Sequence, residues 1–130
     1  MESLIATFFA DRPGVAAVYL FGSLAAGTAT PESDVDIGVL YQRGLEPDFH
    51  IQMDEQIELA SCLSRDVDLI NLNQASPILR MQVLKKGRLV LNRDPKLVNL
   101  FFVNTLNEYF DLKQSRKPIE EAISRSSIYD

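Results

Sequence analysis

The stretch that decides the reading is Phe21-Gly22-Ser23-Leu24-Ala25-Ala26-Gly27-Thr28-Ala29-Thr30-Pro31-Glu32-Ser33-Asp34-Val35-Asp36. Upstream of it, Val15 to Phe21 is a short apolar run rich in Val, Tyr and Phe, which suits a buried strand. Gly22-Ser23 ends that strand. Residues 24–33 are small or turn-forming and leave room for a helix of one or two turns at most. Asp34 to Leu40 then alternates acid and apolar residues, which predicts a second strand, antiparallel to the first because the connection is short.

Asp is disfavoured in strands, because its side chain competes for the backbone and resists burial. Asp34 and Asp36 are two apart, and strand geometry puts both carboxylates on one face. They repel each other unless a cation sits between them. Mg²⁺ is commonly held by one or two carboxylates together with substrate phosphates, so the pair makes chemical sense as a metal site. Taken alone, it fits an exposed strand start better. Asp66 and Asp68 repeat the pattern and offer a third carboxylate, with the same plain alternative. Gly22 lets a ligand approach the backbone, and free N–H groups with the Ser23 hydroxyl can cradle phosphate oxygens. The plain alternative is a tight turn.

Outward from this stretch, Leu4, Ile5, Phe8 and Phe9 predict a first helix, ended by Arg12-Pro13-Gly14. A second helix is expected from Pro47-Asp48 to Leu63, with Phe49, Met53, Ile57, Ala60 and Leu63 as its apolar stripe and Asp54, Glu55 and Glu58 as its wet face. Val67 to Leu72 reads as a strand. Ser76-Pro77 opens a helix that Gly87 stops near Lys86. Leu89 to Leu91 forms a short strand. Asp94-Pro95 starts a last helix, expected to reach Lys117-Pro118 and to be followed by a short frayed one. The fold class is α/β, a small mixed sheet flanked by helices. One domain spans residues 1–130, with a core to about residue 92 and a helical segment over about 95–130.

The chain has 130 residues, 24% of them charged and 46% hydrophobic, ordinary values for a globular fold and not for a disordered or collagen-like one. The single cysteine, Cys62, has no internal disulfide partner and reads as a core residue. His50, the only histidine, reads as a surface residue, and Tyr19 and Tyr41 as packing residues. The net charge is −5, with 12 acids against 3 bases in residues 1–79 and 10 bases against 6 acids in residues 80–130. A nucleic-acid binder is usually basic, so direct nucleic-acid binding is not expected. The bases Arg80, Lys85, Lys86, Arg88, Arg93 and Lys96 fit either a phosphate-facing segment or a solvated face. Met1 to Ala10 has Glu2 as its only charge, unlike a signal peptide, and no apolar run is long enough to span a membrane. A cytoplasmic protein is expected.

Gly22-Ser23, ten residues, then Asp34-x-Asp36 resembles the signature of the DNA polymerase β-like nucleotidyltransferase superfamily. The whole stretch is similar to the minimal nucleotidyltransferases encoded beside HEPN-domain partners, whose pattern reads G-S-x-A-R-G-x-A-x-P-x-S-D-x-D. Gly22, Ser23, Ala25, Gly27, Ala29, Pro31, Ser33, Asp34 and Asp36 match it, and Ala26 departs from it, where the family has Arg. The resemblance implies a nucleotidyltransferase fold with Asp34, Asp36 and Asp68 as catalytic and metal-binding carboxylates. Asp68 is assigned because Val67-Asp68-Leu69 matches the family's later strand. It implies two Mg²⁺ ions, ATP as substrate, and Gly22 and Ser23 binding its phosphates. It also implies a partner: a HEPN RNase toxin that the chain neutralises by transferring AMP to a tyrosine. Two other readings stay open, an antitoxin that acts mainly by docking on the toxin, and a nucleotidyltransferase for a small molecule such as an aminoglycoside. The run Leu97 to Val103 fits either a partner face or a helix buried on the sheet.

Overall fold

The computed structural model describes residues 1–28, 30 and 33–124, with side chains described up to residue 114. Ala29 and Pro31 of the motif lie outside the described residues, as does the segment 125–130. The elements are α1 (Glu2–Ala10), β1 (Val15–Phe21), α2 (Ser23–Ala26), β2 (Val35–Tyr41), α3 (Phe49–Leu63), β3 (Val67–Asn71), α4 (Pro77–Lys86), β4 (Arg88–Asn92) and α5 (Pro95–Ser124). The strand order is β3-β2-β1-β4. β1 pairs antiparallel with β2 and with β4, and β2 pairs parallel with β3. The short link through α2 permits only an antiparallel return, whereas the crossover through α3 allows the parallel one. The mixed sheet expected from the sequence therefore forms.

β1 is central and buried along its whole length. Val15, Val18 and Leu20 face one core with Ile5 and Phe9 of α1 and Leu59 of α3. Ala16, Ala17, Tyr19 and Phe21 face the other, with Val83 of α4 and Phe101 of α5. An irregularity in register between Val15 and Ala17 lets two successive residues turn to the same side. α3, α4 and α5 start on side-chain caps: Asp48 accepts from Ile51 N–H, Ser76 from Leu79 N–H and Asp94 from Leu97 N–H.

Three expectations are corrected. The buried residues of α3 are Glu55 and Leu59, while Phe49 is 73% and Ile57 63% exposed. The reason is that α3 lies against β3, the edge strand, and an edge strand needs polar partners. Gln52 Nε2 donates to Leu69 O at 3.1 Å, and Gln56 Oε1 accepts from Leu69 N–H at 3.0 Å. Glu55 is drawn in by Arg12 at 2.9 Å. Cys62, expected in the core, is exposed on the last turn of α3. Finally, α5 does not break at Lys117-Pro118 but runs on to Ser124. A proline removes one i→i−4 bond, and its fixed φ is itself helical. Tyr19 and Tyr41 are buried as expected, and His50 is exposed.

Candidate active site

β1 ends at Phe21, and the chain turns at Gly22 with φ 73° and ψ −153°, a conformation open essentially to glycine alone. The single turn α2 follows at once, with Ala26 N–H bonded to Gly22 O, and Gly27 closes it in the left-handed region. This is the one-turn helix the sequence permitted. The turn is tight because of what lies beside it. A Cβ at Gly22 would stand 3.0 Å from Cγ of Asp36 and overlap its Oδ2.

Asp36 faces Phe21 across the antiparallel pair and Asp68 across the parallel pair. Val35, Ile37 and Val39 point into the core shared with α1 and α3, so Asp36 points to the opposite face. Val67 and Leu69 set Asp68 on that same face. Asp34 lies just before β2 rather than within it, and the adjacent Val35 N–H donates to Asp66 O at 2.8 Å. Burial, then Asp68, then Asp34 push the Asp36 carboxyl above its ordinary value, so the three carboxylates share one electrostatic neighbourhood. Asp36 is half-buried, and Asp34 and Asp68 are exposed. Asp66 and Asp68 are both exposed, so depth does not choose between them. The two differ in register: Asp68 is paired with Asp36, and Asp66 precedes the strand.

These are hard oxygen donors suited to a divalent cation. Among the described residues no three such ligands close around a point. That arrangement fits a site completed by phosphate oxygens rather than an all-protein cage.

The basic segment divides. Arg80 bonds Leu72 O and Asn73 O and pairs with Glu108, at the opposite end of the sheet. Arg93 bonds Phe9 O and Arg12 O. Arg88 pairs with Leu20 in the ladder and bridges to Glu2 at 3.0 Å. Lys85 and Lys86 end α4, exposed, beside Gly87, which packs against Leu20 O and Phe21. The cluster therefore leaves these two cations at the Gly22 end. Charge counting along the chain could not separate them from Arg80 and Arg93. A further residue missed in the sequence is Arg65, whose Nη1 donates to Thr30 O at 3.3 Å and Ser33 O at 3.4 Å. It grips the loop that delivers Asp34, in a chain that has Ala26 where the motif has Arg.

A strand, a glycine turn and carboxylates in register on the next two strands are the arrangement that the nucleotidyltransferase motif calls for. A family model described as "Polymerase beta, Nucleotidyltransferase" matches residues 3–96, and the chain belongs to that family. It is 36% identical over 107 residues to the protein adenylyltransferase MntA of Shewanella oneidensis, covering 82% of this chain and 75% of that protein. It is similar to the crystal structure of a toxin–antitoxin with AMP-PNP, with TM-score 0.82, 33% identity, and coverage of 94% of this chain and 97% of the other. It is also similar to the MNT antitoxin solved in complex with a tri-AMPylated HEPN toxin from Shewanella oneidensis. There the TM-score is 0.76 at 31% identity, with 94% of both chains covered. Among the described residues, no helix is long and apolar enough to cross a membrane.

Proposed function

We propose that this chain is the adenylyltransferase antitoxin of a two-protein system, transferring AMP from ATP to a tyrosine hydroxyl of a HEPN RNase toxin in the cytoplasm. The observation that carries the reading is the in-register pair Asp36 and Asp68, set beside the Gly22 turn with Asp34 adjacent. The similarity to the protein adenylyltransferase MntA and to an MNT antitoxin in complex with a tri-AMPylated HEPN toxin supports a toxin protein as acceptor. The whole chain is taken as one catalytic domain.

Asp34 and Asp36, with Asp68, would hold Mg²⁺ together with the triphosphate. Mg²⁺ bound there would neutralise charge developing on the transferred group and on the leaving pyrophosphate. Gly22 and Ser23 bind the phosphate end of ATP through backbone N–H groups and the Ser23 hydroxyl. Asp68 orients the tyrosine hydroxyl and takes its proton. The tyrosine oxygen bonds to the α-phosphorus as the bond to the β-phosphate oxygen breaks, and pyrophosphate leaves. Positioning and charge stabilisation, without a covalent enzyme intermediate, carry the rate.

Phe102, Val103 and Phe110 are exposed on α5, while Phe101 and Thr105 are buried on its other side. That second apolar face favours, as the competing reading, an antitoxin that works by docking alone. Growth rescue titrated against expression separates the two. The Asp34→Asn/Asp36→Asn double variant should fail to rescue at levels where wild type succeeds. Intact mass of the co-expressed toxin should rise by AMP units with wild type only. Equal rescue by the double variant at equal expression refutes the catalytic reading.

A further inference from the structure

At the end of the sheet away from the carboxylates, a cleft of about 290 Å³ opens between the end of α1, the start of β1, the end of β2 and the first half of α3. Val15, Leu45, Pro47 and Ile51 give it apolar walls. Tyr41 and Glu55 also line it, only 2% and 7% exposed. The Tyr41 hydroxyl and Glu55 Oε2 are both buried without a hydrogen-bond partner. Tyr41, Glu55 and Arg12 line the same cleft, and the charges of Glu55 and Arg12 both act on the Tyr41 hydroxyl.

Arg12 does not satisfy this pair. Its Nε is 2.9 Å from Glu55 Oε2, an ion pair that engages the carboxylate but leaves the Tyr41 hydroxyl unpartnered. The rest of its guanidinium is engaged elsewhere: it lies 3.9 Å over the Phe8 ring, donates to Phe8 O, and has Nη2 3.5 Å from Glu58. Asp54 and Glu58 stand at the cleft, so three carboxylates face one guanidinium. An anionic ligand is repelled there. Buried polar groups are normally paired; the Tyr41 hydroxyl, itself a donor, still offers an oxygen lone pair, and the carboxylates outnumber the one guanidinium, so the cleft suits a cationic donor reached past apolar walls.

We propose that this cleft is a binding site for a primary alkylammonium group. Its N–H groups donate to Glu55 Oε2 and to the Tyr41 hydroxyl oxygen, and its alkyl chain lies along Val15, Leu45, Pro47 and Ile51. A free aliphatic amine and a lysine side chain of another protein share this chemistry. The site is independent of the reading of the Asp36 end.

The test is a titration of the full chain followed by NMR at the tyrosine rings. The probes are n-pentylammonium, n-pentanol, pentanoate and Nα-acetyl-lysine methylamide. Pentylammonium should shift the Tyr41 resonances saturably, and pentanoate should leave them in place. Saturation by the capped lysine as well assigns the site to a protein side chain; saturation by pentylammonium alone assigns it to a free amine. Tyr41→Phe should bind about tenfold more weakly, the loss of one hydrogen bond to a charged group, and yet withstand more denaturant than wild type. Glu55→Gln should weaken binding at least as much. Asp36→Asn should bind the amine like wild type even where AMP transfer is lost. No saturable shift with the amine, equal binding of pentanol, or unchanged affinity in Tyr41→Phe would overturn the proposal.

Discussion

Gly22 and Asp36 are in such close contact that the side chain of one exists only because the other has none: a Cβ on residue 22 would stand 3.0 Å from Asp36 Cγ. The backbone of Gly22 also sits at a positive φ that an L side chain rarely adopts. Gly22→Ala should therefore act in two ways. It should lose about 1–3 kcal/mol of stability from backbone strain. It should also displace the Asp36 carboxylate and abolish AMP transfer at temperatures where the variant remains folded. Urea denaturation beside a transfer assay checks both, and a folded, active Gly22→Ala refutes the geometry.

Asp68 shares its register position with Asp36, and Asp66 offers its carbonyl to Val35 N–H. A backbone carbonyl survives a side-chain change. Asp66→Asn should retain most of the transfer rate, and Asp68→Asn should lose at least about a hundredfold, the scale of one removed acid–base partner. A larger loss in Asp66→Asn would reverse the assignment of the third carboxylate.

Glu55 supplies the pH dependence. Burial pushes its carboxyl above the ordinary 4.5, against the lowering by Arg12. A raised carboxyl binds its proton more tightly in the folded chain than in the unfolded one. Its stabilising contribution is complete below about pH 4.5 and is lost as the pH rises through the raised value. Glu55→Gln has no such loss. Relative to wild type it should gain stability as the pH rises above about 4.5 and level off once the raised value is passed, read from urea midpoints at each pH. A flat difference curve would mean that Glu55 is satisfied by Arg12.

Much of this was legible along the chain, because the site is written in one continuous stretch. The β1 run, Gly22-Ser23 and the Asp34-x-Asp36 spacing lie within 22 residues, and period-2 alternation fixes which way Asp36 points, while Asp34 falls just before the strand. The helix caps at Asp48, Ser76 and Asp94 were legible for a similar local reason. What was not legible depends on partners distant in sequence. Only the C-terminal half of the expected α3 stripe turns inward: Ala60 and Leu63 pack on the core beside Leu59, while Phe49 and Ile57 face out. The fold instead turns Gln52, Gln56 and Glu55 inward, toward an edge strand and an arginine on α1. The separation of Arg80 from Lys85 and Lys86 likewise rests on where α5 places Glu108.

The inward glutamines lead to a last prediction. Gln52 and Gln56 clamp both backbone groups of Leu69, the residue after Asp68, so α3 fixes the free edge of the strand that carries the third carboxylate. In Gln56→Leu the side chain keeps its bulk but loses its acceptor, and Leu69 N–H is left without its partner. The expected loss of stability is about 1–3 kcal/mol, that of a polar group stranded without its bond. Gln56→Glu keeps an acceptor for the same N–H and should recover most of that stability. If the clamp also sets the position of Asp68, Gln56→Leu should reduce the maximal rate of AMP transfer more than it raises the ATP concentration for half-maximal rate, and Gln56→Glu should restore that rate. A variant destabilised to the same extent at Leu59, which packs in the core away from the strand edge, should leave the maximal rate intact below its unfolding temperature. Equal rate losses in the two variants would reduce Gln56 to a stabilising contact with no part in placing Asp68.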